Sequence, residues 1–98
     1  MFTLEWTATA EAEFQKLRAD PSSAKRAKAV AKALSLLSMN PRYPGLNTHE
    51  WKSRLCPHGE KMWEAYAENQ TAGAYRIFFC YPPERRGVIC IIAITPHP

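Results

Sequence analysis

The side chains that could do chemistry in this sequence are histidines, an arginine and acids. Arg76 lies in one alternating segment, His97 lies near the end of the last one, and Glu64 and Tyr66 share an earlier one. Histidine exchanges a proton near neutral pH, and arginine can hold a phosphate with two donors while it keeps its own charge. These groups suffice for metal-independent cleavage of RNA by its own 2′-hydroxyl, which needs a base, an acid and a cation beside the phosphorus.

Other common chemistries have no support in the sequence. It holds no Gly-rich phosphate loop, no GxSxG segment and no HExxH segment, which argues against nucleotide hydrolysis, serine hydrolysis and zinc proteolysis. Cys56 and His58 alone are a weak metal signal, so we expect no metal and no cofactor. The three cysteines, Cys56, Cys80 and Cys90, match no CxxC spacing, which predicts free thiols rather than a disulfide framework.

Length and composition predict one globular domain over residues 1–98. A hydrophobic fraction of 46% with 22% charged residues is typical of a globular chain. The longest apolar run, Val88–Ile94, is far shorter than the ~20 residues of a membrane span. The segment Met1–Trp6 lacks the pattern of a secretory signal. We therefore expect a cytoplasmic protein with no membrane partner.

Hydrophobic periodicity predicts a strand, two helices and then three or four strands. Residues 2–6 alternate, and residues 8–19 and 24–38 follow the helical period, the first of them after the capping residue Thr7. The apolar residues of the second helix that we expect to face inward are Ala27, Val30, Ala31, Leu34 and Leu37. Alternating segments then cover residues 49–55, 62–68, 75–81 and 88–95. This order predicts an α+β fold, with an N-terminal strand and an antiparallel helical hairpin packed on one face of a mainly antiparallel sheet of four or five strands.

An assumed register across the loop at residues 69–73 decides which side chains share the uncovered face of the sheet. Antiparallel pairs keep a constant index sum, so this register sets Tyr66 opposite Arg76 and Glu64 opposite Phe78. An acid, a phenol and a guanidinium are therefore predicted to form one patch.

A second assumed register, across the turn at residues 82–87, concerns the last strand. It directs His97 to the same face as Arg76, if the strand continues to the C-terminus. It also sets Cys80 and Cys90 on opposite faces, in agreement with free thiols.

Five segments in order resemble the RelE/ParE toxin superfamily. They are residues 34–45, the strand histidine His49, and the segments Glu64–Asn69, Ala74–Phe79 and Ile94–Pro98. The resemblance covers nearly the whole chain and implies a small sheet with an N-terminal helical hairpin. Members are toxins of type II toxin–antitoxin pairs. The RelE branch cleaves mRNA in the ribosomal A site, whereas the ParE branch poisons DNA gyrase.

The resemblance also implies roles for single residues. Arg76 matches the family's phosphate-stabilising arginine, and His97 matches the place of a His or Tyr that acts as acid or base. Glu64 and Tyr66 stand where some members carry lysines, and no aromatic residue follows His97. These departures imply either a variant site in which Glu64, Tyr66 or His49 shares proton transfer, or an inactive site.

The first functional prediction is therefore a RelE-like endoribonuclease, an mRNA interferase that acts on translated mRNA at the ribosome and is neutralised by a cognate antitoxin. Its net charge of +4 favours a polyanionic partner. The cations that we expect to contact RNA backbone are Lys52, Arg54, Lys61, Lys25, Lys28 and Lys32. The last three form one helical stripe, for which simple solvation is the alternative interpretation. The alternative function is a non-catalytic binding protein, either a ParE-like gyrase inhibitor or a relative that binds only its antitoxin, and a basic RNA-binding module is third.

Overall fold

A computed structural model describes residues 1–98, which form a five-stranded sheet and two α-helices. The strands are β1 (Thr3–Trp6), β2 (His49–Leu55), β3 (Lys61–Tyr66), β4 (Tyr75–Cys80) and β5 (Val88–Pro96). Their order across the sheet is β1-β5-β4-β3-β2. The β1–β5 pair is parallel and every other pair is antiparallel, so the sheet is mixed. The predicted α+β class is confirmed.

The helices α1 (Ala8–Ala19) and α2 (Ala24–Met39) follow β1 directly and lie against one face of the sheet. The Thr7 hydroxyl accepts the backbone N–H of Ala10 at 3.0 Å, which caps α1 at the predicted residue. Asp20 caps the short 3₁₀ turn that joins the two helices. Neither helix is sufficiently long and apolar to cross a membrane.

The main core fills the space between the helices and the sheet. Its fully buried side chains include Val30 and Leu37 of α2 and Ile77 and Phe79 of β4. In α2, Ala33 is buried and Ala31 is exposed, so the expectation for Ala31 is wrong. At 100° per residue, Val30, Leu34 and Leu37 define one side of the helix, and Ala33 lies closer to the middle of that side than Ala31 does.

The opposite face of the sheet, which we call the open face, carries a second, smaller core. Its buried members are Cys56, Met62, Phe78, Cys80 and Ile92, with Trp51 packed against them. Alternation over residues 49–55 predicts Trp51 and Leu55 on one side of β2 and Arg54 on the other, but Leu55 is 61% exposed. The β2–β3 register shifts between Trp51 and Leu55, so strict alternation fails in this part of β2.

The β3–β4 register is the predicted one, with Tyr66 opposite Arg76 and Glu64 opposite Phe78. The loop between these strands spans residues 67–74 and introduces no irregularity into the ladder. The predicted patch of acid, phenol and guanidinium is therefore present on the open face.

The β4–β5 register contains a shift between Phe78 and Phe79, which the sequence did not indicate. Between this shift and the turn, Cys90 pairs directly with Cys80, one residue away from the assumed register, so the expectation that they lie on opposite faces is wrong. Beyond the shift, Thr95 pairs with Arg76.

Cys56 and Cys80 form a disulfide, whereas Cys90 is free. The expectation of three free thiols is therefore wrong. The Cα atoms of Cys56 and Cys80 lie 6.3 Å apart although the residues are 24 positions apart in the chain. Cysteine spacing carries no sign of this pairing, because the sheet brings the end of β4 beside the turn after β2.

We expect reduction of the disulfide to lower the free energy of unfolding by about 3 kcal/mol, because the bond closes a loop of intermediate length in the unfolded chain. Urea unfolding with and without a thiol reductant measures the difference. The Cys56→Ser variant should have the stability of the reduced wild type and should not respond to reductant, whereas Cys90→Ser should still respond. A wild type that is equally stable in both conditions contradicts the expectation.

Candidate functional site

A buried carboxylate, that of Glu64, is the centre of a polar cluster on the open face. Glu64 lies in the middle of β3 and is 0% exposed. Alternation along β3 directs it to the open face together with Met62 and Tyr66. Full burial of a carboxylate is costly unless opposite charges and hydrogen-bond donors surround it. Here they come from the adjacent strands β2 and β4 and from the residue that follows β5.

Two histidines contact this carboxylate, one at each oxygen. His97 Nδ1 lies 2.9 Å from Glu64 Oε2 in hydrogen-bonding geometry. His49, directly opposite Glu64 in the β2–β3 ladder, places its Nε2 2.7 Å from Oε1. The His49 and His97 side chains are 42% and 47% exposed. One buried group therefore holds two imidazoles that both reach solvent.

The orientation of His97 follows from an extension of the β4–β5 ladder. Its backbone N–H donates to the carbonyl of Ala74 at 2.9 Å, beyond the last residue of β5. Nδ1–H donates to the Glu64 carboxylate, so Nε2 is left without a partner in the protein. A carboxylate behind one ring nitrogen fixes the tautomer in which the other nitrogen carries the lone pair.

His49 has a different environment, because both of its ring nitrogens face acceptors. Nδ1 lies 2.7 Å from the carbonyl of Asn47, and Nε2 faces Glu64. Each contact is favourable only when that nitrogen carries a hydrogen. The Nε2 approach is close but is not aligned as a hydrogen bond, and Glu64 Oε1 is one of two buried side-chain atoms with no hydrogen-bond partner. Both ring nitrogens of His49 are therefore engaged by protein acceptors, whereas one nitrogen of His97 is free.

Arg76 supplies the positive charge of the cluster. Its guanidinium lies over the Tyr66 ring at 3.7 Å, an attractive cation–π contact. Nη1 donates to the carbonyls of Glu68 and Tyr75, and Nε lies 3.8 Å from Glu64 Oε2. Arg76 Nε is the second buried atom without a hydrogen-bond partner. A polar group that entered the cluster could satisfy it.

The cations predicted to contact RNA lie on three different surfaces. Arg54 lies on the open face, in the same cavity wall as Trp51, contrary to the alternation that set them on opposite sides. Lys61 lies 3.9 Å from Glu50. Because its neighbour Met62 faces the open face, alternation directs Lys61 to the face that the helices cover. Lys52 is exposed in the irregular part of β2. The stripe of Lys25, Lys28 and Lys32 is exposed on α2, which covers the face of the sheet that the cluster does not use.

Neither a metal centre nor a reactive thiol is formed by the other side chains of the protein. No group of three or more His, Cys, Asp or Glu side chains is arranged to hold a metal ion. The free thiol of Cys90 has a raised pKa, because of its burial and the charges of Glu5 and Glu60. A raised pKa leaves little thiolate at neutral pH, so Cys90 is a poor nucleophile.

The sequence reasoning missed two contributors to the site. Trp51 packs edge-to-face against His97, with ring centroids 5.9 Å apart. The Asn47 carbonyl orients His49, and Asn47 itself has a positive φ of 47°. Trp51 could have been found, since it follows His49 by two residues on the same strand and therefore shares its face.

Comparisons with known proteins return no match: no family model fits the chain, and no curated protein and no solved structure is significantly similar to it.

We expect Glu64→Ala to lower the free energy of unfolding by roughly 3–5 kcal/mol, because it leaves the Arg76 charge buried without its carboxylate. The matched control is Glu50→Ala, which removes a carboxylate from the neighbouring strand whose partner Lys61 is 65% exposed. Its loss should be about 1 kcal/mol or less. Urea unfolding of both variants measures the difference, and equal losses would show that Glu64 does not carry the charge balance of the cluster.

Proposed function

We propose that the protein is a metal-independent endoribonuclease of the RelE type, the toxin of a type II toxin–antitoxin pair that cleaves mRNA at the ribosome. The observation that carries the proposal is the pair of half-exposed imidazoles, His49 and His97, held on one buried carboxylate beside a guanidinium. Acid, base and cation are the three groups that 2′-hydroxyl attack on a phosphodiester requires. The resemblance of the sequence segments to RelE-type toxins supports the choice of substrate.

In the proposed reaction His97 is the base. Its Nε2 takes the proton of the substrate 2′-hydroxyl, while Nδ1–H stays on Glu64 and the carboxylate stabilises the imidazolium that forms. The freed 2′-oxygen attacks the phosphorus and the bond to the 5′-oxygen breaks. His49 gives that leaving oxygen its Nδ1 proton, which faces the Asn47 carbonyl before substrate enters and is released from it in this step. The products are a 2′,3′-cyclic phosphate and a 5′-hydroxyl, so no water is consumed in this step.

Arg76 stabilises the charge that builds on the phosphorane oxygens. Only its Nη1 is used in hydrogen bonds to the protein, which leaves donors of Nη2 for a phosphate. Tyr66 is a positioning residue, since its ring lies under the guanidinium and sets the plane of the donors. A preorganised cation of this kind stabilises the transition state more than it does in water.

The lysine stripe on α2 has a separate role in this proposal. Lys25, Lys28 and Lys32 bind phosphates of ribosomal RNA, contacts that position the toxin without reading sequence. The mRNA then reaches the cluster on the open face, and the cognate antitoxin neutralises the toxin. Such a toxin acts in the cytoplasm, where disulfides are usually reduced, so Cys56 and Cys80 are thiols while it acts there.

Replacement of His97 by alanine should lower the rate of RNA cleavage by roughly 10²–10⁴-fold, the usual effect of a lost general base. The change is at an exposed C-terminal residue, so the fold should be retained. His58→Ala is the matched control, because His58 is an exposed histidine in the turn after β2 and contacts no member of the cluster. Cleavage of mRNA with ribosomes in EDTA is the assay, and end analysis should find 2′,3′-cyclic phosphates.

Two results would contradict the proposal. RNA that stays intact in the presence of wild-type protein and ribosomes shows that the cluster is not a nuclease, and trapped gyrase–DNA complexes would then favour the ParE-like alternative. Equal rates for His97→Ala and His58→Ala would show that the RNA is cut by another site.

Substitution of Lys25, Lys28 and Lys32 by glutamine should weaken ribosome binding and lower the slope of log K against log salt by about 2, because three phosphate contacts are lost. At a saturating concentration of ribosomes the rate of mRNA cleavage should not change, since the stripe lies on the side of the molecule away from the cluster. Removal of three cations elsewhere, at Lys16, Arg18 and Arg86, is the control. If both triple variants change the slope equally, the stripe has no specific role.

A further inference from the structure

A small cavity on the open face lies directly beside the histidine cluster. Its volume is about 170 Å³. The buried side chains of Met62, Phe78 and Ile92 form its floor, and Trp51, Arg54 and Thr95 stand around it. The cavity is apolar at its base and open to solvent, so it can receive a flat apolar group.

The cavity and the proposed catalytic histidine share a wall. The Trp51 ring packs edge-to-face on His97 at 5.9 Å and on Phe78 at 5.4 Å, with interplanar angles of 76° and 68°. Trp51 is therefore held in one orientation from two sides. A nucleotide whose phosphate contacts His97 has its own base within reach of this tryptophan.

The charge of the cavity selects the class of ligand. Arg54 carries the only charged side chain among its lining residues, which also include Ala93 and Pro98. Aromatic rings and guanidinium planes are the surfaces on which unpaired bases stack, and a guanidinium also binds phosphate oxygens. An apolar floor with one cation at the edge fits a heterocyclic base joined to a phosphodiester.

We propose that this cavity binds the base of one nucleotide adjoining the scissile phosphate, with Trp51 as the stacking surface and Arg54 as the contact to the next phosphate along the strand. The inference rests on the proposed nuclease function and adds to it a base subsite. Trp51 is then a specificity-determining residue, because the cavity holds one base and the stacking strength differs between bases.

The test compares Trp51→Leu with Trp63→Leu. Both tryptophans are partly buried on neighbouring strands, but Trp63 faces the helices and takes no part in the cluster. The substrates are ribosome-bound mRNAs that lack the base on one side of the cleaved bond or on the other. For the wild type, loss of the base from one of these two positions should lower kcat/KM by about tenfold or more, the size of one stacking contact.

The effects of removing the Trp51 ring and of removing the base should not add, because both changes remove the same contact. Trp51→Leu should cleave the complete RNA about as slowly as the wild type cleaves the abasic RNA, and should lose little more on that abasic RNA. Trp63→Leu should retain the wild-type difference between the two substrates. If Trp51→Leu slows every substrate by the same factor, or if no base position matters to the wild type, the subsite is wrong while the nuclease function stands.

Binding can be measured even if no RNA is cleaved. Adenosine 3′-monophosphate and cytidine 3′-monophosphate should shift the Trp51 indole N–H resonance in ¹H–¹⁵N spectra, whereas ribose 5-phosphate should not. Intact RNA together with these shifts would overturn the nuclease function but keep the base site. Shifts that all three compounds produce alike, or that none produces, would overturn the base site.

Discussion

Burial of the Glu64 carboxylate in the middle of a strand is the constraint on which the open face depends. An isolated buried carboxylate is unstable, so its charge must be balanced locally. Arg76 comes from β4, His49 from β2 and His97 from the end of β5. The balance therefore exists only when four strands are paired in this register, and the site and the sheet depend on the same contacts.

The two faces of the sheet differ in what covers them and in the side chains that they carry. On one face the helices cover a continuous apolar core, which supplies most of the buried hydrophobic surface. On the open face no helix is present, and a smaller core that includes Cys56 and Cys80 supports the cluster. Because no helix covers this face, the neighbouring strands bury Glu64 while the two imidazoles that contact it still reach solvent.

The position of His97 depends on how β5 continues beyond its partner β1, which pairs only with residues 88–91. Beyond residue 91, side chains at the start of α1 and within it form hydrogen bonds with the backbone of β5 at its unpaired edge. The Thr7 hydroxyl donates to the carbonyl of Ile92, and the Glu13 carboxylate accepts the N–H of Ile94. The other edge stays paired with β4, so the strand continues as far as the histidine. A helix on one face thus helps to position a residue on the other.

The sequence by itself determined the α+β class, the order of the elements and the cap at Thr7, because periodicity and capping are local properties. The β3–β4 register was an assumption that the structure confirms, and it placed Glu64, Tyr66 and Arg76 on one face. The tertiary structure alone decided the cysteine pairing, the side on which Arg54 lies and the contact of both histidines with one carboxylate. These depend on register shifts in two strand pairs and on residues far apart in the chain, and a shift of one residue reverses every side chain that follows it.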